Sequence, residues 1–180
     1  MQDTLQTDVL VIGSGLAGLA AAWEAAKRGC QVTLLTRAAN AAESNTDRAQ
    51  GGIIYRAPGE SPEQLVADIL SVGGGLSSPD AARLLSREGP RLVKEILIDE
   101  IGVPFDASRE NPEQPDLTRE AGHSLSRIVH HKDQTGSAIE REFLDRVRAH
   151  PNVTVISHAT AVDLLPSRTT RLSPPTSIAC

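Results

Sequence analysis

Three things are scarce in this sequence: cysteine, clustered positive charge and long apolar runs. Two cysteines in 180 residues are too few for the disulfide framework of a small secreted scaffold or for a cysteine zinc site. The net charge of -5 without a lysine or arginine cluster disfavours a nucleic-acid partner. The first apolar run is interrupted by Gly13 and Gly15 and lacks a basic flank. We therefore expect no signal peptide and no membrane partner, and we predict a cytoplasmic protein.

Hydrophobic residues make up 39% of the chain, which is enough for a buried core. Residues 9–12 form a continuous apolar run that ends at glycine, a pattern typical of a strand buried on both faces of a parallel sheet. Leu16, Leu19 and Trp23 recur at helical spacing before Gly29, and residues 31–36 predict a second strand. Strand, helix and strand in this order make a βαβ unit.

The rest of the chain predicts mixed elements. Residues 38–58 show no periodicity, so they predict a long loop that contacts a ligand. Ser61 and Ser78, each before a proline, predict two helix starts, and Pro90 predicts the restart of a helix that Gly102 ends. Residues 153–157 predict a third parallel strand, and residues 161–165 are a candidate for another. Residues 166–180 predict an unstructured or aberrant tail, so residues 1–165 are the N-terminal part of the domain.

Gly13, Gly15 and Gly18 form a Gly-x-Gly-x-x-Gly pattern between the first strand and the first helix. The first glycine allows a tight turn, the second lets a pyrophosphate approach the backbone, and the third brings the helix close to the strand. The start of the helix offers unpaired amides and a partial positive charge to the pyrophosphate. With a strand before it and a helix after it, the pattern predicts a dinucleotide site.

The second strand ends in Thr36 and Arg37, where the usual fingerprint has an acidic residue that holds the adenosine ribose. An arginine at this point is able to bind the 2'-phosphate of NADP, so a nicotinamide-dependent reductase is one alternative. A solvated loop arginine is the other interpretation.

Residues 43–53 resemble the flavin loop of the succinate dehydrogenase, fumarate reductase and L-aspartate oxidase family. The glycine pattern and residues 118–124 add two further motifs in the family's order. The resemblance implies an α/β fold, a Rossmann-like FAD-binding domain that is incomplete and lacks the capping domain. It also implies FAD contacts from Ser14, Gly15, Leu16 and Ala17 at the pyrophosphate, Thr36 and Arg37 near the adenosine, Ser44, Asn45, Thr46, Asp47, Arg48, Ala49, Gln50, Gly51 and Gly52 along the riboflavin, and Ala161 at the adenine.

Asn45 separates two branches of this family. Members that oxidise succinate carry a histidine just before the loop threonine, and this histidine bonds covalently to the flavin. Asparagine cannot form that bond. The resemblance therefore implies noncovalent FAD, as in the aspartate oxidase branch.

Residues 117–120 resemble the segment of aspartate oxidases that reaches the substrate amino group. An ammonium group that loses its water at a flavin must be paired, and a carboxylate supplies a charge-assisted hydrogen bond. We expect Glu120 to play this role; a surface glutamate paired with Arg119 or Arg127 is the alternative. His123 is a further candidate for the active site.

The resemblance implies that L-aspartate is oxidised to iminoaspartate with oxygen or fumarate as electron acceptor. This is the first step of de novo NAD biosynthesis, with quinolinate synthase as a pathway neighbour. A truncated, catalytically inactive FAD-binding fragment and a succinate or fumarate flavoprotein are the alternatives. The histidines at positions 123, 130 and 131 predict no metal site, because adjacent histidines in a strand face opposite sides and no cysteine lies near.

Overall fold

A computed structural model describes residues 4–165 of the chain. The chain divides into two compact units, one containing the residues up to Asn45 and those from Leu144 onward, the other Thr46–Phe143. The expectation for residues 166–180 lies outside the described residues. Within residues 4–165, none of the helices combines the length and the apolar character that crossing a membrane requires.

The first unit is built on a parallel sheet. Strand β1 (Val9–Ile12) leads through helix α1 (Leu16–Lys27) into strand β2 (Val32–Leu35), and strand β6 (Val153–Ile156) pairs with the other edge of β2. The α/β fold, the βαβ unit and the third parallel strand are thus confirmed. Leu19 of α1 and Leu34 of β2 are fully buried, because the apolar face of the helix covers the central strand. The carboxyl ends of the three strands meet at one edge of the sheet.

The further strand predicted at residues 161–165 is wrong. Residues 157–165 form no strand, and the side chains of Val162 and Leu165 are 92% and 90% exposed. A short apolar run becomes a strand only where a partner accepts its backbone hydrogen bonds. In the described part of the chain β1 is an edge strand, since only β2 pairs with it.

The second unit joins helices to a small antiparallel sheet. Strand β5 (Ile128–Val129) lies between β3 (Ile53–Ile54) and β4 (Leu117–Thr118). Helices α2 (Pro62–Val72) and α3 (Pro79–Leu92) begin after Ser61 and Ser78, as predicted, and Ser61 forms the expected capping box with Gln64. Helix α4 (Thr135–Ala149) begins in this unit. Strand β3 lies inside the segment 38–58 that the sequence predicted as a loop, so that loop is shorter than expected.

The prediction that Pro90 restarts a helix is wrong. Helix α3 runs through Pro90 and continues as a π-helical segment, Val93–Ile101, which ends at Gly102 with φ +79°. A proline inside a helix leaves the carbonyl four residues earlier without its N–H partner. Here that carbonyl belongs to Ser86, and it accepts a hydrogen bond from Arg56 Nη2 at 2.9 Å. The side chain of Arg56 replaces the missing donor, so the helix is not interrupted.

Candidate functional site

In the first unit, the turn between β1 and α1 is held by close backbone contacts. Gly13 has φ +108°, which favours glycine, and its N–H donates to Leu35 O at 2.8 Å. A Cβ on Gly18 would lie 1.9 Å from Gly13 O. The helix therefore approaches the strand so closely that no side chain fits between them, which is the geometry that the glycine pattern requires.

The start of α1 fits a pyrophosphate. The helix begins after Gly15 without a side-chain cap and without an acidic residue in its first turn, so nothing there repels an anion. Ser14 is 3% exposed, and its hydroxyl has no hydrogen-bond partner among residues 4–165. A buried hydroxyl without a partner is costly, and a phosphate oxygen of a dinucleotide would satisfy it.

The carboxyl ends of β2 and β6 carry the residues expected at the adenosine. Thr36 is buried; its N–H donates to Ile156 O at 2.9 Å, and its carbonyl accepts from Ala159 N at 3.0 Å. Ala161 is exposed two residues beyond that contact. Arg37 is exposed too, and its guanidinium has no hydrogen bond or ion pair with the described residues. The structure thus brings Thr36 close to the segment that leads to Ala161.

The loop expected at the riboflavin divides between the units, with Ser44 and Asn45 in the first and Thr46 to Gly52 in the second. In the second unit the loop packs against the first turn of α4. Ala49 O accepts a hydrogen bond from Gly136 N at 2.9 Å. The loop and this helix together line a cavity of about 380 Å³ with Asp47, Arg48, Ala49, Gln50, Asp133, Gln134 and Ser137.

Glu120 lies against the same loop. Its Oε1 accepts a hydrogen bond from Gly52 N at 2.9 Å, and a Cβ on Gly51 would lie 3.3 Å from that oxygen. Within the described residues it forms no ion pair with Arg119 or Arg127, which was the alternative interpretation. Oε2 has no hydrogen-bond partner in this part of the chain. The carboxylate is therefore anchored through one oxygen and open through the other.

A cluster of charges around the buried side chain of Arg127 was not predicted from the sequence. The side chain of Arg127 is fully buried, with Nε 2.6 Å from Glu60 Oε1 and Nη1 2.6 Å from Asp68 Oδ2. The same Nη1 lies 2.8 Å from His123 Nδ1. Asp68 also accepts hydrogen bonds from the N–H and the hydroxyl of Ser124, both at 2.8 Å. We call these five residues the Arg127 cluster.

Asp68 is charged in this cluster. Partial burial raises the pKa of its carboxyl, but the hydrogen bonds from Ser124 and Arg127 and the charge of Arg127 outweigh burial and hold the pKa below its ordinary value. Arg127 is a permanent cation. The segment from Glu120 to Arg127 is thus held by ionised groups.

The histidines at positions 130 and 131 contact protein groups. His130 lies between two carboxylates, with Nδ1 3.2 Å from Asp106 Oδ2 and Nε2 3.3 Å from Asp116 Oδ2, and His131 Nδ1 lies 2.6 Å from Pro104 O. Over residues 4–165 there is no group of three or more His, Cys, Asp or Glu side chains that could hold a metal ion.

A parallel sheet, a glycine turn and an uncapped helix start define a dinucleotide-binding α/β domain. The chain belongs to the FAD binding domain family, which it matches over residues 8–172. FAD, rather than the NADP considered for Arg37, is therefore the cofactor.

Known proteins refine this assignment. The chain is 42% identical over 165 residues to an L-aspartate oxidase of Halobacterium salinarum, covering 92% of this chain and 31% of that protein. It is 40% identical over 162 residues to a chloroplastic L-aspartate oxidase of Arabidopsis thaliana, covering 89% of this chain and 24% of the relative. An E. coli quinol fumarate reductase FrdA chain has the same fold, with TM-score 0.79 and 22% identity over 87% of this chain and 26% of its own length. The chain thus spans less than a third of the length of each of these proteins.

Proposed function

We propose that this chain is part of an enzyme that oxidises L-aspartate to iminoaspartate, the first step of NAD biosynthesis. The observation that carries the proposal is the contact between Glu120 and the flavin loop. A carboxylate bonded to Gly52 N lies beside residues expected along the riboflavin. The relatives named L-aspartate oxidase, at 42% and 40% identity, support the same function.

The charge of Glu120 suits an amino acid better than a plain dicarboxylate. Aspartate and succinate share two carboxylates, and only aspartate carries an ammonium group. Oε2 of Glu120 can accept a hydrogen bond from that ammonium while Oε1 stays on Gly52. A hydrogen bond between charged groups is worth about 1.5–3 kcal/mol, and the same carboxylate repels a ligand that brings only negative charge.

The reaction removes a hydride from C2 of aspartate and a proton from its nitrogen, which leaves iminoaspartate. When bound, FAD accepts the two electrons, and oxygen or fumarate then takes them from the flavin and is reduced to hydrogen peroxide or succinate. The residues of this chain bind and orient. The start of α1 and the Ser14 hydroxyl hold the pyrophosphate, and Glu120 fixes the amino group.

We further propose that the FAD is noncovalent. Asn45 offers no nucleophile at the position where the succinate-oxidising branch has its histidine. A cytoplasmic location and quinolinate synthase as pathway neighbour stay predictions.

The test uses the full-length protein that contains this chain. Aspartate should produce hydrogen peroxide in air and ammonia after the imine hydrolyses, and under anaerobic conditions it should convert fumarate to succinate. Acid precipitation should release the flavin into the supernatant. Flavin that succinate reduces and aspartate does not would contradict the proposal and favour a succinate flavoprotein. Full-length protein whose bound flavin neither compound reduces would also contradict the proposal and would favour FAD binding without this activity.

A further inference from the structure

The Arg127 cluster determines which nitrogen of His123 carries the ring proton. Arg127 Nη1 lies 2.8 Å from His123 Nδ1, at hydrogen-bond distance. A guanidinium has only donors and stays protonated in proteins, so Nδ1 must be the acceptor. The proton of the neutral imidazole is then on Nε2. This nitrogen has no hydrogen-bond partner in the described part of the chain and is available as a donor.

Arg127 is itself fixed. Its side chain is fully buried between Glu60, whose side chain is 3% exposed, and Asp68, whose side chain is 16% exposed. Asp68 accepts a hydrogen bond from Nη1, and the Glu60 carboxylate forms an ion pair with Nε at 2.6 Å without hydrogen-bond geometry, so two charges restrain the guanidinium group. The orientation of the donor that faces His123 is therefore set by two carboxylates.

His123 and Glu120 belong to one tight turn. His123 N donates to Glu120 O at 3.2 Å, and Gly122 between them has φ +84°. The turn is held at one end by the bond between Glu120 and Gly52 and at the other by the two bonds from Ser124 to Asp68. An open carboxylate oxygen and a neutral N–H donor are thus presented by the same rigid turn.

We propose that His123 is a specificity-determining residue that donates its Nε2 hydrogen to a carboxylate of the substrate, and that Arg127 is the positioning residue that keeps this tautomer. The inference rests on the proposed function, because it takes the substrate to be an amino dicarboxylate. Glu120 attracts the ammonium but repels the carboxylates, and a neutral N–H donor three residues along offsets that repulsion without competing for the ammonium.

The first test distinguishes the roles of the two His123 ring nitrogens by substitutions in the FAD-loaded, full-length protein. His123→Gln places an amide donor near the position of Nε2, and His123→Asn places its oxygen near Nδ1 but offers nothing at Nε2. Succinate is the probe, titrated by the change in flavin absorbance. We expect H123N to bind succinate roughly tenfold or more weakly than wild type, and H123Q to stay within about threefold. Any result in which H123N binds succinate as tightly as H123Q would overturn the inference.

The second test asks whether Arg127 acts through His123. In histidine-labelled wild-type protein, the nitrogen NMR shifts of His123 should be those of the Nε2–H tautomer, and the Nδ1–H tautomer would overturn the proposal. Arg127→Lys should give a mixture of the two His123 tautomers. Introduced into the wild-type protein it should weaken succinate binding, whereas introduced into H123N it should cause no additional weakening. Equal weakening in both backgrounds would mean that Arg127 acts independently of His123. Arg91→Lys, on exposed α3, is the matched control. If R127K does not fold, the wild-type spectrum and the His123 pair decide.

The two proposals fail in different ways. Aspartate turnover by wild type together with equal succinate affinities of H123N and H123Q would remove the inference and leave the proposed function. The expected difference between H123N and H123Q without aspartate turnover would remove the proposed function and keep the dicarboxylate donor.

Discussion

The turn after β1 and the turn around Glu120 are stabilised by different kinds of contact. In the first, backbone atoms meet directly, as Gly13 N on Leu35 O and the close approach of Gly18 to Gly13 O show. The second turn is stabilised by charged side chains, because Arg127 is buried between two carboxylates. Shape should therefore decide the effect of a substitution in the first turn, and charge in the second.

The comparison is tested most severely at Gly15. We expect Gly15→Val to lose FAD completely, because the side chain occupies the space that the pyrophosphate needs. The fold should survive, since Gly15 has φ -71° and ψ 176°, extended backbone that valine adopts readily. The measurements are the flavin content of the purified full-length protein and its circular dichroism. Ala21→Val, at an exposed position of the same helix, should keep its flavin. Stoichiometric FAD in G15V would show that the space at this turn does not determine FAD binding.

Charge should dominate at Arg127. Arg127→Met keeps much of the volume but leaves Glu60 and Asp68 without the cation that both contact. Removing one member of a buried ion pair costs about 3–5 kcal/mol, so urea unfolding should shift strongly. Arg91→Met is the control, because its partners Glu88 and Glu95 are half exposed and such pairs contribute about 0–1 kcal/mol. Similar losses in the two variants would contradict the role given to the cluster.

At Glu120 the charge should affect selectivity more than stability. Glu120→Gln keeps the size and one acceptor for Gly52 N but removes the negative charge. We expect kcat/KM for aspartate to fall roughly tenfold to a hundredfold, which corresponds to a loss of about 1.5–3 kcal/mol of transition-state stabilisation. Fumarate reduction should suffer much less. Steady-state kinetics with both substrates in the full-length enzyme measure this, and equal losses would assign Glu120 to the support of the loop alone.

The smallest expected effect is the change in the pH dependence of stability that Asp68 causes. Because the pKa of Asp68 is lowered in the folded protein, its carboxylate contributes stability at neutral pH that is lost as the pH falls through the lowered pKa. Asp68→Asn should lower the melting temperature at neutral pH and flatten its decline in the acid range. Melting curves of the two proteins at a series of pH values give the comparison. Parallel declines would show that Asp68 does not contribute to acid sensitivity.

The sequence predicted the first turn better than the second. A buried strand, a glycine pattern and an amphipathic helix are local signals, so the βαβ unit could be read from adjacent residues. Pro90 shows the limit of such signals, because Arg56 in a distant segment supplies the donor that proline lacks. Residues 161–165 are mostly apolar, but no strand among the described residues pairs with them.

The Arg127 cluster had only a weak local signal. Glu60 and Asp68 lie more than fifty positions before Arg127, and each is an ordinary charged residue of the kind usually found at the surface. One hint existed, since Arg127 directly precedes the apolar pair that forms β5. Glu120 was identified through the family's motif, and the roles of the site residues stay predictions.

Gly136 bears on attempts to make this protein more heat-resistant. Replacing helical glycines by alanine is a common stabilising change, worth about 1 kcal/mol where space allows. Gly89 in α3 is a poor target, because it directly precedes Pro90, whose ring crowds a Cβ on the preceding residue of a helix. At Gly136 an added methyl group would lie 1.9 Å from Thr46 O and push the flavin loop off the helix. Both helical glycines should therefore be kept, for different reasons: Gly89 because a proline follows it in the helix, and Gly136 because the loop rests directly on its Cα.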